Sequence, residues 1–251
     1  MSGAHGGFPT TRHSALARTR SPETEIRRQA YETLVSCYWK PVYKYLRARW
    51  NLSPDDAGDA TQEFFLKAIE KEFFQGYEAS RARFRTYIRL CLDTFVLKER
   101  RAARRLKRGG QYEIVQVDFA SAEGEMRASR HQKVTDMDEY FQHEWIRGLV
   151  DLAVESLRRH YQSSGRDVQF AVFERYDLDA TEADDKPRYE DLARELGLSV
   201  AQVTNYLSAV RKSFRTALLN KLREATGSEA EFRAEAEELF PAASALLPQT
   251  R

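Results

Sequence analysis

Residues 189–207 read YEDLARELGLSVAQVTNYL, and this stretch decides the fold class. Leu192, Ala193 and Leu196 recur at helical spacing and form the inner face of a first short helix. Gly197 stands where that helix must end and turn, and Ser199 stands where the next must be capped. Leu198, Val203 and Leu207 then plug the core from the second helix, and Ala193 is small where that helix would cross. Two short helices joined by a glycine turn form a helix-turn-helix pattern. The opposite face of the second helix offers Gln202, Thr204, Asn205, Tyr206, Ser208, Arg211, Lys212 and Arg215. In a major groove, the early positions of such a face contact base edges and the later bases contact phosphates. A helical hairpin in an adaptor protein would carry the same spacing.

Outward from this motif the helical period continues. Leu34, Tyr38, Pro41, Val42, Tyr45 and Leu46 mark one helix, and Ala60, Phe64, Phe65, Ala68 and Ile69 the next. Phe84, Tyr87, Ile88, Cys91, Leu92 and Phe95 mark a third, and Trp145, Leu149, Leu152, Ala153 and Leu157 a fourth. Ser53-Pro54-Asp55-Asp56 supplies a cap, a proline at the first helical position and acids in the first turn. The one β-like run, Tyr112–Phe119, sits between Gly109-Gly110 and a polar stretch. The pattern predicts an all-α chain of two small helical domains joined by a flexible linker. The boundaries fall as an N-terminal extension at 1–25, a first domain at 26–108, a linker at 109–139, a second domain at 140–224 and a C-terminal extension at 225–251.

The net charge of the 251 residues is only +2, from 40 Lys and Arg against 38 Asp and Glu, but the charges are segregated. Residues 51–79 carry seven acids and two bases, whereas residues 81–108 carry eleven bases and two acids. One helical hairpin therefore has an acidic arm followed by a basic one. The basic arm is interleaved with Phe84, Tyr87 and Phe95 and preceded by Phe73, Phe74 and Tyr77. Bases neutralise phosphates and aromatic rings stack on unpaired bases, so this arm suits nucleic acid. A solvated helix face over an ordinary aromatic core is the alternative.

Several classes are excluded. No apolar run approaches the ~20 residues of a membrane span, and Met1–Arg20 has no secretory apolar segment, so a cytoplasmic protein is expected. Cys37 and Cys91 make no disulfide framework and read as buried small hydrophobes. The five histidines show no metal-ligand spacing, and there is no glycine-rich phosphate loop. No enzyme activity, metal or cofactor is expected. A nuclease would need carboxylates converging from two helices, and Asp55, Asp56, Asp59 and Glu63 lie at the start of one.

The acidic helix, basic helix, linker and helix-turn-helix occur in the order of bacterial extracytoplasmic-function sigma factors, which the chain resembles over nearly its whole length. Residues 56–68, DAGDATQEFFLKA, resemble the polymerase-docking segment of sigma region 2. Residues 84–88, FRTYI, resemble the opening of the promoter-reading helix, and Tyr189–Arg211 resembles region 4. The start at Phe8–Ser14, the run Arg81–Arg85 and the tail Glu231–Phe240 resemble a subgroup with extended termini.

The resemblance implies a binding protein that directs promoter-specific initiation by core RNA polymerase. Asp56, Asp59, Gln62 and Glu63 would meet the clamp helices of the largest subunit, with Phe64 and Phe65 anchoring their helix. Region 4 would engage the flap of the second subunit. Phe74, Tyr77, Arg81, Arg83, Arg85, Tyr87, Arg101 and Arg104 would read and melt the minus-ten element. Gln202, Thr204, Asn205, Tyr206, Ser208, Arg211 and Lys212 would read the minus-thirty-five element.

The chain departs from the family pattern at Gly58, usually an acid, at Thr94, usually Asn, and at Lys98, usually Asp. An anti-sigma factor or a Ser/Thr kinase would be a regulatory partner, with Thr61 the candidate phosphorylation site. The acidic tail, with Glu224, Glu229, Glu231, Glu235, Glu237 and Glu238, is either a solvated amphipathic helix or an internal inhibitor on a basic surface. A stand-alone helix-turn-helix regulator is the alternative function, and it leaves the acidic helix unexplained.

Overall fold

The computed structural model describes residues 14–103, 117–128, 136–179 and 186–241, with side chains to 101 in the first segment. It is all-helical, with no strand among the described residues. The α-helices are α1 (Ala15–Arg18), α2 (Thr24–Trp50), α3 (Pro54–Glu70), α4 (Phe84–Ala103), α5 (Phe119–Ala128), α6 (Met137–Ser163), α7 (Asp167–Phe173), α8 (Tyr189–Leu196), α9 (Val200–Ala225) and α10 (Glu229–Leu239). Among the described residues no helix is long and apolar enough to cross a membrane. Among the described residues two compact units result, one within 14–149 and 222–239, the other within 150–221 and 240–241.

The first unit is built on an aromatic core. The Tyr38 ring meets Phe84 edge-on at 5.6 Å and stacks on Trp145 at 6.1 Å. Phe84 also meets Tyr77 and Phe74 edge-on, and Phe64 meets Phe65 and Phe95. Each such ring stabilises the unit by about 1.5–3 kcal/mol through its burial. Local signals set the helix starts. Ser53 Oγ accepts from the Asp56 amide at 3.1 Å, with Pro54 opening α3. The chain leaves α2 through Asn51 in the left-handed region, φ 49°.

Two features of this unit depart from the sequence reading. Part of the expected linker is a docked helix, α5. Asp118 caps it by accepting from the Ser121 amide at 2.9 Å, and Phe119 packs between Trp39 and Tyr43. Glu125 then accepts from Lys40 and Lys44, and Glu123 from Arg47 and Tyr43. Its ten residues hold only two large apolar side chains, Phe119 and Met126, too few for a periodic signal, so only the partners on α2 reveal the helix. The β-like run falls mostly at 112–116, outside the described residues, and its last residue, Phe119, opens α5. The second concerns the acidic tail, where the solvated-helix alternative fails: Phe232, Glu235 and Ala236 of α10 are fully buried within this unit.

The second unit packs α7, α8 and its parts of α6 and α9 around Leu157, Tyr161, Phe170, Val203, Leu207 and Val210. Gly197 takes φ +66° after α8, and the Leu198 amide returns to the Ala193 carbonyl at 2.8 Å. Only glycine adopts that conformation without cost, which is why the turn sits there.

Candidate nucleic-acid interface

Three faces carry the residues singled out in the sequence, two on the first unit and one on the second. On α3, Asp56, Asp59 and Glu63 are exposed and Gln62 is half-buried. Phe64 and Phe65 turn inward and are buried, so they fix the helix rather than meet a partner. Asp56 is also held by Ser53 Oγ at 2.7 Å, and Glu63 pairs with Lys67 at 2.7 Å. Gly58 is buried, and Phe119 of α5 lies over it. Asp59 and Gln62 consequently border a hollow of ≈ 510 Å³ whose far side is Phe119 and Glu123. Thr61 is buried and its hydroxyl donates to the Ala57 carbonyl at 2.7 Å, so a kinase would reach it only after α3 opened.

The second face is a groove of ≈ 430 Å³ between α3 and α4. Phe73, Tyr87, Leu90, Cys91 and Phe95 supply its apolar lining, and Lys67, Lys71, Thr94, Lys98 and one acid, Glu99, its polar lining. Tyr87 is fixed by donating its hydroxyl to the Phe73 carbonyl at 2.6 Å, and burial pushes its pKa up to about 12. Burial likewise pushes the Cys91 thiol up, so it remains protonated at neutral pH. Cys91 is half-buried in this wall, whereas Cys37 is in the core. Lys67 lies 5.3 Å from the Phe95 ring centroid and bridges Glu63 and Glu99.

Of the side chains expected to read the minus-ten element, Tyr87 lines this groove. Phe74 is buried in the core beside Phe84 and offers no face for stacking. Tyr77 is buried and donates to Glu231 at 2.9 Å. Arg85 is buried, paired with Glu235 at 2.9 Å and laid over Trp145. Arg83 is half-buried and bridges Glu235 and Glu238. Arg81 and Arg101 are exposed, and Arg104 lies outside the described residues.

The sequence reading passed over Leu90, Thr94 and Lys98 as groove residues. They follow at i, i+4 and i+8 on the outer face of α4, and a leucine off the stripe of Phe84, Ile88, Leu92 and Phe95 was the available signal. Whether Phe73 or Phe74 faces the groove had no signal at all, because both lie in one short 3₁₀ turn, Phe73–Gly76.

The third face is the outer side of α9. Thr204, Asn205, Ser208 and Lys212 are exposed along it. Gln202 is exposed but spends its carbonyl on the Ser199 amide and hydroxyl, closing a capping box with Ser199. Thr204 donates back to the Val200 carbonyl. Tyr206 is half-buried and packs on the core of this unit. Arg211 is clamped by both oxygens of Asp177, at 2.7 and 2.9 Å, and lies over Tyr176.

Compared with known proteins, the chain matches no protein-family model, no curated protein and no solved structure.

Proposed function

We propose that the chain is a sigma factor of the extracytoplasmic-function type, a binding protein that acts with core RNA polymerase in the cytoplasm and does no chemistry itself. The observation that carries this reading is the α3–α4 hairpin. It exposes an acidic face, Asp56, Asp59, Gln62 and Glu63, fixed from within by two buried phenylalanines. Beside it lies an aromatic groove lined by lysines. The acidic face lies within residues 56–68, which carry the sequence resemblance, and of the groove residues Lys67 and Tyr87 belong to the resembling segments.

The acidic face docks on a basic helical surface of the polymerase. The groove takes a base that has left the duplex. Extruding a base costs a few kcal/mol, and stacking on rings such as Phe73 or Tyr87 returns about 1–3 kcal/mol. The groove therefore holds an opened base rather than forcing it open, which makes polymerase docking a requirement. Arg81 and Arg101 meet backbone phosphates. On the second unit, Thr204, Asn205 and Ser208 face base edges of duplex DNA and Lys212 a phosphate.

Reconstitution with purified core polymerase tests the reading. The expected result is core binding and discrete transcript starts on genomic fragments, lost in an Asp59→Lys/Glu63→Lys variant. Duplex binding without polymerase, with no core binding, would instead establish a stand-alone helix-turn-helix regulator.

A further inference from the structure

The bases at the start of α4 are already occupied. Glu231, Glu235 and Glu238 follow at i, i+4 and i+7 on α10, so one side of that helix is a strip of carboxylates. Glu231 accepts from the Tyr77 hydroxyl at 2.9 Å and from the Phe84 amide at 2.6 Å, where α4 begins and its dipole attracts an anion. Glu235 pairs with Arg83 at 3.2 Å and Arg85 at 2.9 Å, and Glu238 pairs with Arg83 at 2.5 Å. A helix start and two guanidinium groups are the donors that a run of phosphates would take.

We propose that α10 is a built-in phosphate mimic whose outer carboxylate, Glu238, competes with nucleic acid for Arg83. This deepens the proposed function, because it rests on α4 being a nucleic-acid-binding helix. The hold is graded along α10. Phe232, Glu235 and Ala236 are fully buried, so the inner turn is part of the core. Glu238 is half exposed and Arg83 about one third exposed, so the outer pair is the one that opens. DNA displaces Glu238 from Arg83 while the rest of α10 stays in place. Free protein therefore binds single strands weakly, and the outer ion pair sets how weakly.

The test is a mutant cycle on the full chain, read as anisotropy of a short fluorescein-labelled single-stranded oligodeoxynucleotide of mixed sequence. Glu238→Gln is expected to tighten binding roughly threefold, the scale of one exposed ion pair. Glu237→Gln, which removes the same charge from an exposed neighbour, is expected to leave it nearly unchanged. The Glu238→Gln gain should vanish in an Arg83→Ala background. Thermal unfolding of each variant checks the fold, and Glu238→Gln touches no buried group. Equal gains from Glu237→Gln and Glu238→Gln would overturn the proposal, as would a gain that survives Arg83→Ala. The same proteins enter polymerase-dependent transcription. Coupling of Glu238 to Arg83 with no transcript would sink the sigma-factor reading and leave the mimic standing. Transcription without that coupling would do the reverse.

Discussion

A Cβ added at Gly58 would lie 3.5 Å from Cε2 of Phe119, an ordinary contact distance with nothing to spare beyond it. The α3 helix and the docked α5 helix therefore meet through a position that has no side chain. Alanine fits there, and removing a glycine from a helix interior stabilises by about 0.5–1 kcal/mol. Gly58→Ala is expected to raise the melting temperature slightly. Gly58→Glu must push Phe119 away from Trp39 and Tyr43 and is expected to cost about 1–3 kcal/mol. Thermal unfolding of the two variants checks both signs.

Lys44 is a buried cation, 1% exposed, held between Glu125 and Glu144 at 2.5 Å each. Lys44→Met leaves Glu125 with Lys40 and Glu144 with Arg147, and Glu144→Leu leaves Lys44 with Glu125, so each single loss should fall below the ~3–5 kcal/mol of a buried charge left alone. Lys44→Met and Glu144→Leu are each expected to destabilise. The Lys44→Met/Glu144→Leu double variant should be more stable than the sum of the two losses. Urea unfolding midpoints close the cycle.

The anchoring of α5 should fail in acid. The Arg47 hydrogen bond holds Glu123 below the usual carboxylate range. Burial pushes Glu125 up, but hydrogen bonds from Lys40 and Lys44 outweigh it and leave that carboxyl low too. A carboxyl with a lowered folded pKa stabilises above its unfolded value, and the contribution is lost as pH falls through the folded one. Stability should hold at neutral pH and decline below about 4.5, the unfolded carboxylate value. Glu123→Gln/Glu125→Gln should flatten that decline while lowering stability at pH 7. Urea midpoints across the range give the slope.

Under the proposed function, filling the α3–α4 groove should separate docking from promoter opening. Thr94 is exposed and lines the groove, so Thr94→Trp places a ring where a base would stack without disturbing the core. The expected outcome is unchanged core-polymerase binding and roughly tenfold weaker promoter opening, the scale of one lost base stack. Permanganate reactivity of the promoter thymines reads the opening.

On the second unit, Asp177 decides how free Arg211 is. Asp177→Asn removes the counter-charge, and duplex binding should tighten and become more salt-dependent as Arg211 turns to phosphate. An Arg211→Ala variant should erase that gain. Titrations at two salt concentrations measure both effects.

The sequence by itself determined the helical class, the α3 start at Ser53-Pro54, the turn at Gly197 and the opposed charges of the α3–α4 hairpin. These are local: a cap, a proline, a positive φ and a periodicity each act within a turn or two of chain. Tertiary structure decided the rest, because it depends on partners far apart in sequence. Phe119 has no helical periodicity to announce it, and it docks because Trp39, Tyr43 and the glycine at 58 leave a place for a ring. Phe73 and Phe74 are identical neighbours, and only packing sends one to the groove and the other to the core. Arg83 and Arg85 read in sequence as free bases for DNA. The charges of the acidic tail suggest a basic surface as one resting place, but only the closed chain decides that its partners are these two arginines some 150 positions away.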